Sequence, residues 1–141
     1  MKDISKFIGI PWEFNGSGYS GADCSGLALL FYREHKWKPD NYVKPKEKNW
    51  YVKNPYKMER FLLKNFRKLK DISELQYGDL ILCKINGESH MLIYIEYGKV
   101  LSTFPNTTPQ WNGVTLPNQS MLIHRDIWEN GYIAGFRRKD G

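Results

Sequence analysis

Cysteine is almost missing from this chain: two residues, Cys24 and Cys83, in 141. Two are too few for a disulfide scaffold, and their unlike surroundings argue against a pair. Long apolar runs are missing too. None approaches the roughly 18 residues needed to cross a bilayer, so no membrane span is expected. The start, Met1-Lys2-Asp3-Ile4-Ser5-Lys6-Phe7, lacks the apolar centre of a secretory signal. Read as the natural start, it implies synthesis in the cytoplasm and then lysis, a dedicated export machine or retention. Histidine is scarce, with three residues. No pair among Cys24, Cys83, His35, His90 and His124 has zinc-ligand spacing, and no cofactor is expected. Repeats, low-complexity tracts and linkers are absent, and the length suits one compact domain over residues 1–141.

Acidic residues are also in deficit. The net charge is +6 and the pI about 9.3. The excess is local, with 12 Lys or Arg against three acids between Lys36 and Lys70. Such a stretch is most simply a solvated face. Its functional alternative is attraction to a polyanion such as nucleic acid, teichoic acid or an anionic cell surface.

What the chain does have is a glycine- and serine-rich run, Asn15 to Gly21, leading into Asp23-Cys24-Ser25-Gly26-Leu27. The run reads as an irregular loop. Beyond it, Leu27, Leu30 and Phe31 recur at helical spacing, which predicts a helix from Cys24 to about Lys36. Asp23 suits its N-cap. Cys24 then falls in the first turn, where the helix dipole and free N–H groups favour a thiolate. Two readings are open for it, nucleophile or small core residue. Cys83, inside the apolar run Leu80 to Ile85, reads as core.

Taken in order, Asp3 to Ile8 predicts a short helical segment that Gly9-Ile10-Pro11 ends. His35 falls at the C-terminal end of the first long helix, where a cation complements the dipole. Lys38 to Pro55 reads as a long loop or insertion. Tyr56 to Lys68 reads as an amphipathic helix facing inward through Met58, Phe61, Leu62 and Phe66. From Gly78 the period changes to strands: Leu80–Ile85, an Asn86-Gly87 hairpin, His90–Glu96, a Tyr97-Gly98-Lys99 turn and Val100–Phe104. Pro105 to Gln119 reads as a loop. Met121–His124 predicts a short strand, Arg125–Asn130 a helical turn and Ile133–Arg138 a last strand. Helices first, then antiparallel strands, give an α+β fold.

A thiolate nucleophile needs a base. His90, opening a central strand after a hairpin, is better placed than His124, which has no partner logic. A third polar group should orient the imidazole. Ser102 lies across the hairpin from the start of the His90 strand. Thr103 or a backbone carbonyl are the alternatives.

Asp23-Cys24-Ser25-Gly26-Leu27, Gly78-Asp79-Leu80, His90 leading Ile93-Tyr94-Ile95, and Gly135-Phe136-Arg137-Arg138 together resemble the NlpC/P60 family of papain-like cysteine peptidases. Gly9-Ile10-Pro11-Trp12 is similar to that family's Gly-x-Pro-Tyr segment. The resemblance spans the chain except for a longer basic insertion at about 38–70. It implies a papain-like fold with N-terminal helices on an antiparallel sheet, Cys24 as nucleophile and His90 as base. It also implies hydrolysis of peptidoglycan stem peptides, commonly between D-γ-glutamyl and a diamino acid. Asp23 and Ser25 match positions that help recognise substrate. Two positions depart from the pattern. Ser102 stands where the third catalytic residue is usually His, Asn or Gln, and Trp12 stands where a Tyr serves the oxyanion site. The expected context is a phage- or prophage-associated tail or lysis protein, or an effector exported by a secretion machine. The alternative is a weak or inactive binding module that uses its basic surface; amidase or acyl-transfer chemistry on another substrate is a third option.

Overall fold

A computed structural model describes residues 3–37, 59, 60, 62–85, 88–104, 110, 111, 114, 115 and 118–139. The expected α+β arrangement is there. One main helix, α1 (Cys24–Glu34), packs on a six-stranded antiparallel sheet. The sheet comprises β3 (Phe66–Lys68), β4 (Leu80–Ile85), β5 (Glu88–Glu96), β6 (Lys99–Ser102), β9 (Met121–Ile123) and β10 (Tyr132–Arg138), in the order β3-β10-β4-β5-β6-β9. Two small hairpins lie outside it: β1 (Ser17–Gly18) with β2 (Gly21–Ala22), and β7 (Gln110–Trp111) with β8 (Val114–Thr115). A short helix α2 (Arg125–Trp128) precedes β10. Among the described residues no helix is long and apolar enough to cross a membrane.

Strand alternation divides the core in two. Leu80 and Leu82 of β4, with Met91, Ile93 and Ile95 of β5, point toward α1 and meet Leu27, Ala28 and Phe31. Ile81, Cys83, Leu92 and Val100 point the other way, onto Phe104, Ile123 and Trp128. Period-two alternation with both faces covered makes Leu80–Cys83 and Met91–Ile93 continuous apolar runs.

Several expectations are corrected. The helix predicted through Lys68 gives way to β3, whose backbone pairs with β10 from Phe136↔Lys68 to Arg138↔Phe66. Phe66 is buried while Arg67 and Lys68 are exposed, an in–out pattern that a helical count also fits over so few residues. Trp12–Gly21 and Pro105–Gln119 are not wholly irregular, since they carry the β1–β2 and β7–β8 hairpins. The predicted turn at Tyr97-Gly98 is present, with positive φ at both residues (51° and 78°), as a tight two-residue hairpin requires. The Lys38–Pro55 insertion and the Asn86-Gly87 turn lie outside the described residues, as does most of the basic stretch.

Candidate active site

The head of α1 is built by Asp23. Its Oδ1 accepts from the Gly26 N–H at 2.7 Å, which is the expected N-cap bond. The same oxygen accepts from the Ser25 hydroxyl at 3.2 Å, and Oδ2 accepts from the Asn15 N–H at 2.9 Å. One buried carboxylate thus ties the loop to the helix start. Gly26 is needed here because a side chain would run into the Gly16 carbonyl and Asp23 Oδ1. Ser25 is fully buried, spending its hydroxyl on Asp23. The arrangement leaves Cys24 as the first helical residue.

Trp12 comes beside this turn through backbone bonds. Ala22 N–H donates to Pro11 at 3.0 Å and Glu13 N–H donates to Ala22 at 3.3 Å, bracketing Trp12 against Ala22, two residues before Cys24. On its other side the segment is held by Trp12 N–H to Asn118, at 3.0 Å. The indole Nε1 is buried with no hydrogen-bond partner among the described residues.

His90 sits in β5, directly opposite Cys83 of β4. How Cys24 relates to it follows from the direction of α1. Near the helix's other end, the Tyr32 hydroxyl donates to the Gly78 carbonyl at 2.6 Å, just before β4 begins. Eight residues back along a helix is about 12 Å, and the five residues from Gly78 to Cys83 cover about 17 Å along a strand. Cys24 therefore lies toward the same end of the sheet as the Cys83–His90 pair, whose side chains share the sheet face that carries Phe104. Electrostatics agree: burial, and then the charge of Cys24, push the Cys83 thiol well above its ordinary range.

The imidazole is 1% exposed, and burial lowers its pKa to about 4. It is therefore neutral at pH 7, and the same burial makes it a weaker base than a free imidazole. The Phe104 ring lies edge-on to it at 4.9 Å between centroids. The register pairing Ile93 with Leu101 places Leu92, not His90, level with Ser102. Ser102 shares the His90 face one step diagonally away, and its hydroxyl donates to the Met121 carbonyl at 3.3 Å. Thr103, of opposite parity, has a buried hydroxyl with no hydrogen-bond partner among the described residues.

Sequence reasoning missed Phe104 as the neighbour of the His90 ring. The signal is a bulge between Tyr94 and Glu96, which shifts the count by one and leaves no mark in the sequence. His35 is not drawn into this site: its ring bridges the Phe31 carbonyl and the Tyr77 hydroxyl, both at 2.7 Å, at the far end of α1. His124 is an exposed residue just before α2. The Gly78-Asp79 and Arg137-Arg138 motifs are also remote from the thiol. Asp79 and Arg137 form a two-pronged ion pair, at 3.0 and 2.8 Å, tying the start of β4 to β10.

Comparison with known proteins gives a consistent picture. The NlpC/P60 family profile matches residues 9–125. Among solved structures, the chain is similar to an NlpC/P60 family protein from Bacillus cereus, with TM-score 0.58 and 19% identity over 94% of this chain and 36% of that one. A lipoprotein-like NLP/P60 family protein from Staphylococcus aureus gives 0.59 and 19%, over 94% and 38%. NlpC1 from Trichomonas vaginalis gives 0.57 and 14%, over 93% and 39%. This chain thus spans a little over a third of those proteins. No curated protein matches it.

Proposed function

Since the chain belongs to the NlpC/P60 family, a family of cell-wall peptidase type, we propose that it is a cysteine peptidase acting on peptidoglycan stem peptides, commonly at a D-γ-glutamyl–diamino acid bond. The observation that carries this reading is the placement of Cys24. A capped helix start puts it in the first turn, where backbone N–H groups and the helix dipole favour a thiolate.

In the proposed mechanism, neutral His90 removes the Cys24 proton as sulfur attacks the stem-peptide carbonyl. Negative charge grows on the carbonyl oxygen beside the N-terminus of α1. Backbone N–H groups of that turn and the Trp12 indole N–H are the candidate donors. A buried indole N–H without a partner carries an uncompensated desolvation cost, which a substrate oxygen would relieve. His90 then returns the proton to the departing amine, leaving a thioester on Cys24. Water, deprotonated by the same ring, displaces the sulfur and releases the acid. Ser102 and Thr103 are the candidates for orienting the imidazole. Asp23 and Ser25 shape the site through the helix cap.

A second reading, a weakly active or inactive binding module, is favoured by one observation. The Ser102 hydroxyl donates to the Met121 carbonyl, and the Phe104 ring lies edge-on to His90. One experiment separates the two. Purified muropeptides are incubated with wild type and with Cys24→Ala, and products are read by mass spectrometry. Stem-peptide cleavage by wild type alone is expected. Equal product from both removes Cys24 from the chemistry, and none from either leaves the binding module.

A further inference from the structure

At the opposite end of α1 from Cys24, about 15 Å along the helix axis, a cavity of about 300 Å³ opens at the surface. Its lining comes from α1, the turn before β4 and the end of β10. One side is built of rings: Phe31, Tyr32, His35 and Tyr77. The His35 ring stacks on Phe31 at 4.2 Å with planes 25° apart, and Tyr77 leans on both at 5.5 Å.

On the polar side, the one carboxylate lining the cavity is already engaged. The Asp79 carboxylate is filled by Arg137 Nε and Nη2 and by the Gln76 N–H. The hydroxyl hydrogen of Tyr32 goes to the Gly78 carbonyl. With His35 donating from Nδ1 to the Phe31 carbonyl, its Nε2 takes the hydrogen of Tyr77. Arg137 is held rigidly by Asp79 and by the Glu74 carbonyl at 2.7 Å. Its two Nη1 hydrogens meet no protein acceptor among the described residues. Arg138 lines the same cavity.

A pre-oriented guanidinium fork beside stacked rings is the pattern that holds a carboxylate joined to an apolar or flat body. We propose that this cavity is a second binding site, separate from the thiol, for a small carboxylate carrying such a body. The site stands or falls independently of the peptidase reading.

The test is a titration of the full isotope-labelled chain with 3-phenylpropionate, followed by amide NMR. Saturable shifts centred on Tyr77, Gly78 and Arg138 are expected. The matching amide, 3-phenylpropanamide, and the matching cation, 3-phenylpropylamine, should leave them unmoved. Arg138→Gln should weaken binding by about tenfold or more, with Arg138→Lys between the two. The proposal is overturned if acid and amide bind alike, if the shifts centre on Asp23 to Gly26, or if folded Arg138→Gln binds as wild type does. Should Arg138→Gln not fold, the comparison of the three probes on the wild-type chain decides alone.

Discussion

Cys24 and Cys83 are both buried, at 2% and 0% exposure, and differ in what surrounds the sulfur. Cys83 lies mid-strand, where apolar neighbours penalise a thiolate. Cys24 starts a helix, where the backbone N–H groups of the first turn and the dipole favour one. Burial thus acts on both thiols, and backbone direction separates them. At pH 7 iodoacetamide should alkylate Cys24 well before Cys83, with Cys83 reacting at a comparable rate only once the chain is unfolded in urea. Peptide mass spectrometry of timed samples gives both rates. Equal, slow labelling in the native state would leave Cys24 an ordinary core thiol.

At the scale of elements, what the sequence made legible was local chemistry. Asp23 ahead of an apolar helical run marks the start of α1 because capping involves only adjacent residues. The turn at Tyr97-Gly98 is legible for the same reason. Features set by long-range pairing were not. Phe66–Lys68 becomes a strand because β10 supplies its backbone partners some 70 residues later. The bulge after Tyr94 decides which β6 side chains share a face with His90, and no residue type announces it. The Gly78-Asp79 and Arg137-Arg138 motifs were legible as motifs, but their remoteness from the thiol was not. Their ion pair is buried on one side, with Asp79 at 4% and Arg137 at 16% side-chain exposure. Removing one partner of such a pair strands the other. Asp79→Ala should therefore cost about 3 kcal/mol in a urea unfolding curve, while Asp79→Leu with Arg137→Met should recover part of that loss. A single variant as stable as wild type would mean the pair contributes nothing to joining β4 and β10.

For the molecule as a whole, the neutral His90 ties global stability to pH. Burial holds its folded pKa at about 4, against an ordinary value of 6.5. Above pH 6.5 the ring is neutral in folded and unfolded chains alike, and its burial goes unopposed by protonation. Between 6.5 and 4 the unfolded chain binds a proton that the folded chain refuses, so stability falls as pH falls through this window. Below 4 both forms are protonated and the loss levels off. A shift of that size corresponds to a loss on the order of 3 kcal/mol. The exposed acids Asp3, Glu34 and Asp71 also have lowered pKa values, from hydrogen bonds to Ser5, Lys6 and Ser73, but their titration lies below the ordinary carboxylate range and largely outside the window. Urea unfolding of wild type and His90→Gln at steps from pH 7.5 to 4 isolates the histidine. The wild type should lose stability steadily below pH 6.5, and the variant should stay nearly flat. Parallel curves would mean that the ring is protonated in the folded state as readily as in water, and with that the neutral base on which the proposed hydrolysis depends would be gone.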